Sequence, residues 1–219
     1  MTPDTTSQGK ETQSQIEERV LLQPMNSLLN EIEEIPYAGE IYIRALIGLA
    51  YSYAERDAGL KIASGLIEEA DRITQSMKRN LGIKEKDSEK MRKNTIKNDK
   101  NLKEIFLGER IPLLEADILD RGGWIIFKQM EAGNLENARK EIQKALSLKQ
   151  NEDYYFHLAH IHAALSRESP DKKDINIRLA LAYCDHVLDM APRKSLEDET
   201  TLLAKDMNEQ LSKQGPQVN

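Results

Sequence analysis

Three times along the chain a small residue, a larger or polarisable one and a compact apolar one recur in fixed register. The sets are Ala63, Ile67 and Ala70; Ala138, Ile142 and Ala145; and Ala180, Cys184 and Val187. Steps of four and then three residues put each set on one face of a helix. A missing side chain on such a face lets a second helix approach to about 8–10 Å between axes. A chain built on this register folds as helices packed against helices, and a sheet has no place in its core.

The stretch from Gly133 to Leu165 shows the unit most fully. Asn134 stands where a helix N-cap is needed, and Leu135, Ala138, Ile142, Ala145, Leu146 and Leu148 make one apolar stripe. Glu136, Arg139, Lys140, Glu141 and Lys144 take the wet side, with Glu136 and Lys140 placed for an i,i+4 pair. Asn151 then opens a second helix carrying Tyr154, Tyr155, Phe156, Leu158, Ala159, Ile161, Ala163 and Leu165. The reading is a helical hairpin.

A second hairpin spans Ile41 to Ile73, with Leu46, Ala50 and Tyr53 in its first helix and Asp57-Ala58-Gly59 as its turn. The third set ends at Pro192, a helix stop. Ala138 to Ala180 is 42 residues, and the turn-rich stretch from Ser166 to Asp174 absorbs the excess over one unit. Ala63 to Ala138 is 75 residues, near two units plus an insertion. Between Ile105 and Met130 a helical pattern resumes. Pro112 lies early in it, and Gly122-Gly123 marks either a helix end or a close crossing. Ser195 and Asp198 have capping-box spacing and open a last, polar helix to about Leu211, suited to closing the array.

The ends and the middle differ in character. Residues 1–20 hold almost no large apolar groups and are expected to be a disordered tail, as are residues 214–219. Val20, Leu21, Leu22, Met25, Leu28, Leu29, Ile32 and Ile35 predict a first amphipathic helix, with Pro24 in its first turn and Pro36 at its end. Residues 78–103 carry ten Lys or Arg against four Asp or Glu and few apolar groups, which gives an extended charged helix or a loop. The domain therefore runs from 21 to 213 with a basic insertion at 78–103.

These residues resemble a tetratricopeptide repeat (TPR). In that family the second helix of each pair opens after a glycine and carries small, large and small residues. Gly133, Ala138, Ile142 and Ala145 match that pattern. The next first helix carries an aromatic, a leucine and a small residue, matched by Phe156, Leu158 and Ala159. Phe156 to Leu158 is one residue short of the family spacing, and Gln150 stands where a proline is usual. The resemblance implies an all-α fold of stacked antiparallel hairpins forming a short, right-handed TPR-like α-solenoid. It also implies a groove lined by the first helices, holding a peptide or helix of a partner protein. It would place Arg44, Gly48 and Tyr51, then Phe127 and Met130, then Phe156 and His160 along that groove. The Lys and Asn set of the family's carboxylate clamp is not evident, so that activity is not carried over.

Other chemistry finds little support. All four histidines and the single cysteine fall between 157 and 186. Register sends His162 and Cys184 inward, His160 to the groove side and His186 to solvent, which argues against a metal site. Asp117 and Asp120 stand three apart and are read as solvated helix charges rather than a catalytic pair. No phosphate loop, nucleophile elbow or metal-ligand pair is present, so neither an enzyme nor a cofactor is expected.

A formal charge of −6 disfavours a general nucleic-acid binder. The basic insertion offers the alternative, a regulatory subunit holding nucleic acid or an anionic surface through Lys84, Lys86, Lys90, Arg92, Lys93, Lys97 and Lys100. It lacks aromatics to stack on bases, so a solvated helix face is the preferred reading. One cysteine allows no internal disulfide, the first twenty residues hold no apolar core that could serve as a signal peptide, and no later run approaches the length of a membrane span. A cytoplasmic adaptor, chaperone-like or assembly subunit is the expectation.

Overall fold

A computed structural model describes residues 36–56, 59–91, 104–129 and 134–213, without the side chains of Pro36 and residues 82–91. The expected tails, the helix at 20–35, Asp57-Ala58, Met130 and Gly133 lie outside the described residues. Among these residues the chain is all-α, with seven α-helices. They are α1 (Pro36–Ala54), α2 (Leu60–Met91), α3 (Ile111–Lys128), α4 (Leu135–Leu148), α5 (Glu152–Glu168), α6 (Lys173–Asp189) and α7 (Lys194–Ser212). They pack as sequential pairs. The heaviest contacts join α1 to α2, α3 to α4 and α5 to α6, and each pair leans on the next through α2–α3, α4–α5 and α6–α7.

The small residues do what the register demands. Ala63, Ala70, Ala138, Ala145, Ala180, Cys184 and Val187 are all fully buried. Gly123 settles the question posed by the glycine pair. It sits in mid-helix, where a Cβ would fall 2.6 Å from Ile142 Cγ1 and 3.0 Å from the Ala138 carbonyl oxygen. The pair marks a close crossing of α3 and α4. At the α1–α2 turn, a Cβ on Gly59 would lie 2.2 Å from the Tyr53 carbonyl oxygen, so no side chain fits there.

Pro112 is accommodated by a change of helical pitch. A proline in a regular helix clashes with the carbonyl four residues back. Here Phe106–Arg110 form a turn of π-helix, and Ile111 N–H bonds the Phe106 carbonyl. Arg110 at the end of that turn pairs with Glu40 of α1 at 2.7 Å, and Arg44 binds the same carboxylate at 3.0 Å. Burial would raise the Glu40 carboxyl pKa, but hydrogen bonds from Arg110 and Arg44 outweigh it and hold the group below its usual range.

Several local expectations need correcting. Arg193 holds the N-cap of α7 and Ser195 lies inside the first turn, so the capping box is not formed. Glu136 pairs with Arg139 at 2.6 Å rather than with Lys140, because the guanidinium reaches back one turn. The linker expected at 166–174 is shorter, since α5 continues to Glu168 and a 3-10 turn, Pro170–Lys172, leads directly into α6. The surplus between Ala63 and Ala138 goes into the 32-residue length of α2 and into residues 92–103, which lie outside the described residues. Lys84, Lys86 and Lys90 therefore stand on α2, whereas Arg92, Lys93, Lys97 and Lys100 are not described.

Candidate functional site: a cleft on alternate helices

A cleft of about 490 Å³ opens on one side of the molecule. Every residue that lines it belongs to α1, α3, α5 or α7, to Glu55 just past the end of α1, or to the N-cap of α7, and none to α2, α4 or α6. Tyr51 comes from α1 and Glu55 from the turn just after it; Trp124, Phe127 and Lys128 come from α3; Phe156, His157 and His160 from α5; and Leu196 and Leu203 from α7. The second helix of each pair supports this face from behind.

The floor is a ladder of rings. Trp124 stacks on Phe127 at 4.8 Å and on His157 at 4.2 Å between centroids, and His160 meets Phe156 edge-on at 4.5 Å. Offset and edge-on contacts of this kind contribute beyond simple burial. His157 is fixed from below by Asp120, whose Oδ1 lies 2.8 Å from Nδ1. Asp120 is wholly buried, with Arg121 Nε 3.7 Å from its second oxygen. The reading of Asp120 as a solvated charge is thus overturned: it lies on the same stripe as Ala116, Gly123 and Phe127, which points inward. Asp117 is also engaged, accepting from Tyr154 Oη and Lys149 Nζ and pairing with Arg44.

The rim is charged and mutually paired. Glu55 accepts from Trp124 Nε1 and Lys128 Nζ, while Asp153 binds Arg121 and Arg193. The Arg121 guanidinium also lies over the Tyr51 ring at 4.4 Å. Burial, reinforced by His157, Lys128 and Arg167, pushes the His160 imidazole down to about 4. It is neutral at physiological pH. The cleft therefore presents rings and an uncharged imidazole beside a charged rim in which Glu55 pairs with Lys128 and Asp153 with Arg193.

Tyr51, Phe127, Phe156 and His160, placed along a groove by sequence, come together here. Arg44 and Gly48 do not reach it: Arg44 is held by Glu40 and Asp117, and Gly48 is exposed on α1. The sequence reading missed Trp124, His157 and the whole contribution of α7. His162 and Cys184 point inward and His186 is exposed. Burial pushes the Cys184 thiol up to about 11, which makes it unreactive. Among the described residues no group of three or more His, Cys, Asp or Glu is arranged to hold a metal, and no helix is long and apolar enough to cross a membrane.

The fold and the site define an all-α protein of sequentially paired helices with a cleft on alternate members. Comparison with protein-family models, curated proteins and solved structures finds no match.

Proposed function

We propose that the pairs constitute a short, degenerate TPR-like solenoid, and that the chain is a protein–protein interaction module that holds a segment of a partner in this cleft. The observation that carries the reading is the origin of the lining: it comes from the first helix of each pair, from the closing helix α7, and from Glu55 and Arg193 at the ends of α1 and α7. Tyr, Trp, Phe and Arg predominate among residues that anchor interfaces. A cleft of this volume accepts one or two side chains, and burying an apolar anchor there contributes about 1.5–3 kcal/mol. The mechanism is non-covalent capture by a preformed surface, and a cytoplasmic adaptor or assembly subunit that is not an enzyme fits it.

The test is affinity capture with mass spectrometry. Ala164→Arg projects a long cation into the cleft, and Leu202→Arg places the same group on the exposed side of α7. The expected result is loss of the captured partner with the first variant only. Equal capture by both would refute the cleft. Loss only on deleting residues 84–100 would move the function to the basic segment.

A further inference from the structure

Three groups that line the cleft can accept hydrogen bonds and have no donor among the described residues. The first is His157. Its Nδ1 faces Asp120 Oδ1, and a carboxylate only accepts, so in the neutral ring the proton sits on Nδ1 and Nε2 keeps its lone pair. The His157 side chain is 4% exposed. Among the described residues the sealed polar atoms without a partner are Tyr42 Oη, Asp120 Oδ2 and His162 Nε2. His157 Nε2 is not one of them, and it opens on the cleft that its residue lines. The second group is His160, whose neutral ring offers one acceptor nitrogen. The rings of Phe156, Trp124 and Phe127 surround it at 4.5, 5.8 and 6.5 Å between centroids.

The third group is Glu199. It stands between Leu196 and Leu203 on the lining stripe of α7 and has no ion pair among the described residues. Asp153 meets Arg193 across α5 and α7 at an offset of 40 residues. Phe156 clusters with Leu196 at the same offset, and Arg167 meets Asp206 further along. The two helices therefore run parallel in fixed register, which sets Glu199 level with His160. The cations of the lining are differently placed. Lys128 has Glu55 at 3.4 Å, Arg193 has Asp153 at 3.0 Å and Arg167 has Asp206 at 3.5 Å. What the cleft lacks is a donor with a positive charge.

Resting on the reading of the cleft as the binding site, we propose that the anchor it takes from the partner is an arginine side chain. The guanidinium is planar, carries five donors and stacks on aromatic faces, so it can serve Glu199 and an imidazole nitrogen while lying against the rings around His160. Its methylene stem packs on Leu196 and Leu203, as long cationic side chains do on apolar surface. A lysine ammonium is compact, more strongly hydrated and cannot stack in this way. A carboxylate would meet the Glu199 charge and the lone pairs of the floor, and would gain only cations that already hold partners.

Trp124 is the only tryptophan of the chain and forms part of the floor, so its fluorescence reports occupancy. The full-length protein is titrated with short capped peptides that differ only in a central Arg, Lys, citrulline or Glu between two leucines. The arginine peptide is expected to bind about tenfold more tightly than the citrulline peptide, which keeps the shape and loses the charge. Glu199→Gln is expected to remove that preference, and Asp198→Asn, on the same helix but outside the lining, to preserve it. Both residues are exposed, so circular dichroism should find the helices intact. Ala164→Arg, which fills the cleft, is expected to abolish the response to every peptide; a response that persists places the peptide elsewhere and overturns the proposal. Equal affinity for arginine and citrulline, a preference for Lys or Glu, or an arginine preference that survives Glu199→Gln overturns it too, while leaving the cleft as a binding site. No fluorescence change with any peptide overturns both the arginine anchor and the cleft reading beneath it.

Discussion

Adjacent glycines in α3 provide a test in which the same substitution should act with opposite sign. Replacing glycine by alanine in a helix interior gains about 0.8–1.0 kcal/mol from propensity alone. At Gly122 the new Cβ meets only Ile67 Cγ2 at 3.6 Å, an ordinary contact, so Gly122→Ala should stabilise by about 0.5–1 kcal/mol. At Gly123 it would fall 2.6 Å from Ile142 Cγ1 and 3.0 Å from a backbone oxygen of α4. That is overpacking against a wall that includes backbone, which costs about 1–3 kcal/mol before the propensity gain is subtracted. Gly123→Ala should therefore destabilise by up to about 2 kcal/mol. At this chain length Gly122→Ala should melt about 1–4 °C above the parent and Gly123→Ala up to about 8 °C below it. Urea titration followed by circular dichroism measures both signs directly. If Gly123→Ala is as stabilising as Gly122→Ala, the α3–α4 crossing is not close and the packing argument fails.

Ala138→Leu enlarges a fully buried residue at the same crossing and should cost about 1–3 kcal/mol in urea titration. His157→Ala strips Asp120 of its nearest partner and should destabilise by about 2–3 kcal/mol; a double-mutant cycle with Asp120→Asn should return a clearly non-zero coupling. His160 has its pKa lowered to about 4 in the folded state from 6.5 in the open chain, so the unfolded state binds more protons between those values. Its contribution is full above pH 6.5 and falls as pH descends towards 4, by about 3 kcal/mol at most. Comparing urea midpoints of parent and His160→Leu at pH 7.5 and 5 checks this: the variant should lose less. Ala191 adopts a left-handed conformation with φ of 52° at the end of α6, so Ala191→Gly should stabilise by about 0.5–1 kcal/mol, read as a raised melting temperature.

The pairing of helices was legible because it is written in side-chain size. Ala63, Ala138 and Ala180 each open a set spaced by four and then three residues, as close-packed helices need, and all three are buried. The cleft was half legible. Tyr51, Phe127, Phe156 and His160 emerged from register, but Trp124 did not, because the glycines before it looked like an interruption rather than the interior of α3. Asp120 was misread because charge was weighed ahead of position: it shares a helical face with Ala116, Gly123 and Phe127, and that face is buried. The role of α7 was hidden by its many acids and lysines, among which Leu196 and Leu203 are spaced two turns apart and face the cleft. The π-turn before Pro112 left only the proline itself as a sign.

The cleft is assembled from four helices that begin with Tyr51 and end with Leu203, so no fragment of the chain owns it. Opening any one pair would take away a wall. An occupant that touches all four helices acts as a clasp between the two ends, and its binding free energy adds to the cooperativity of the whole array. Recognition at this surface would double as a report that α1, α3, α5 and α7 have all come together.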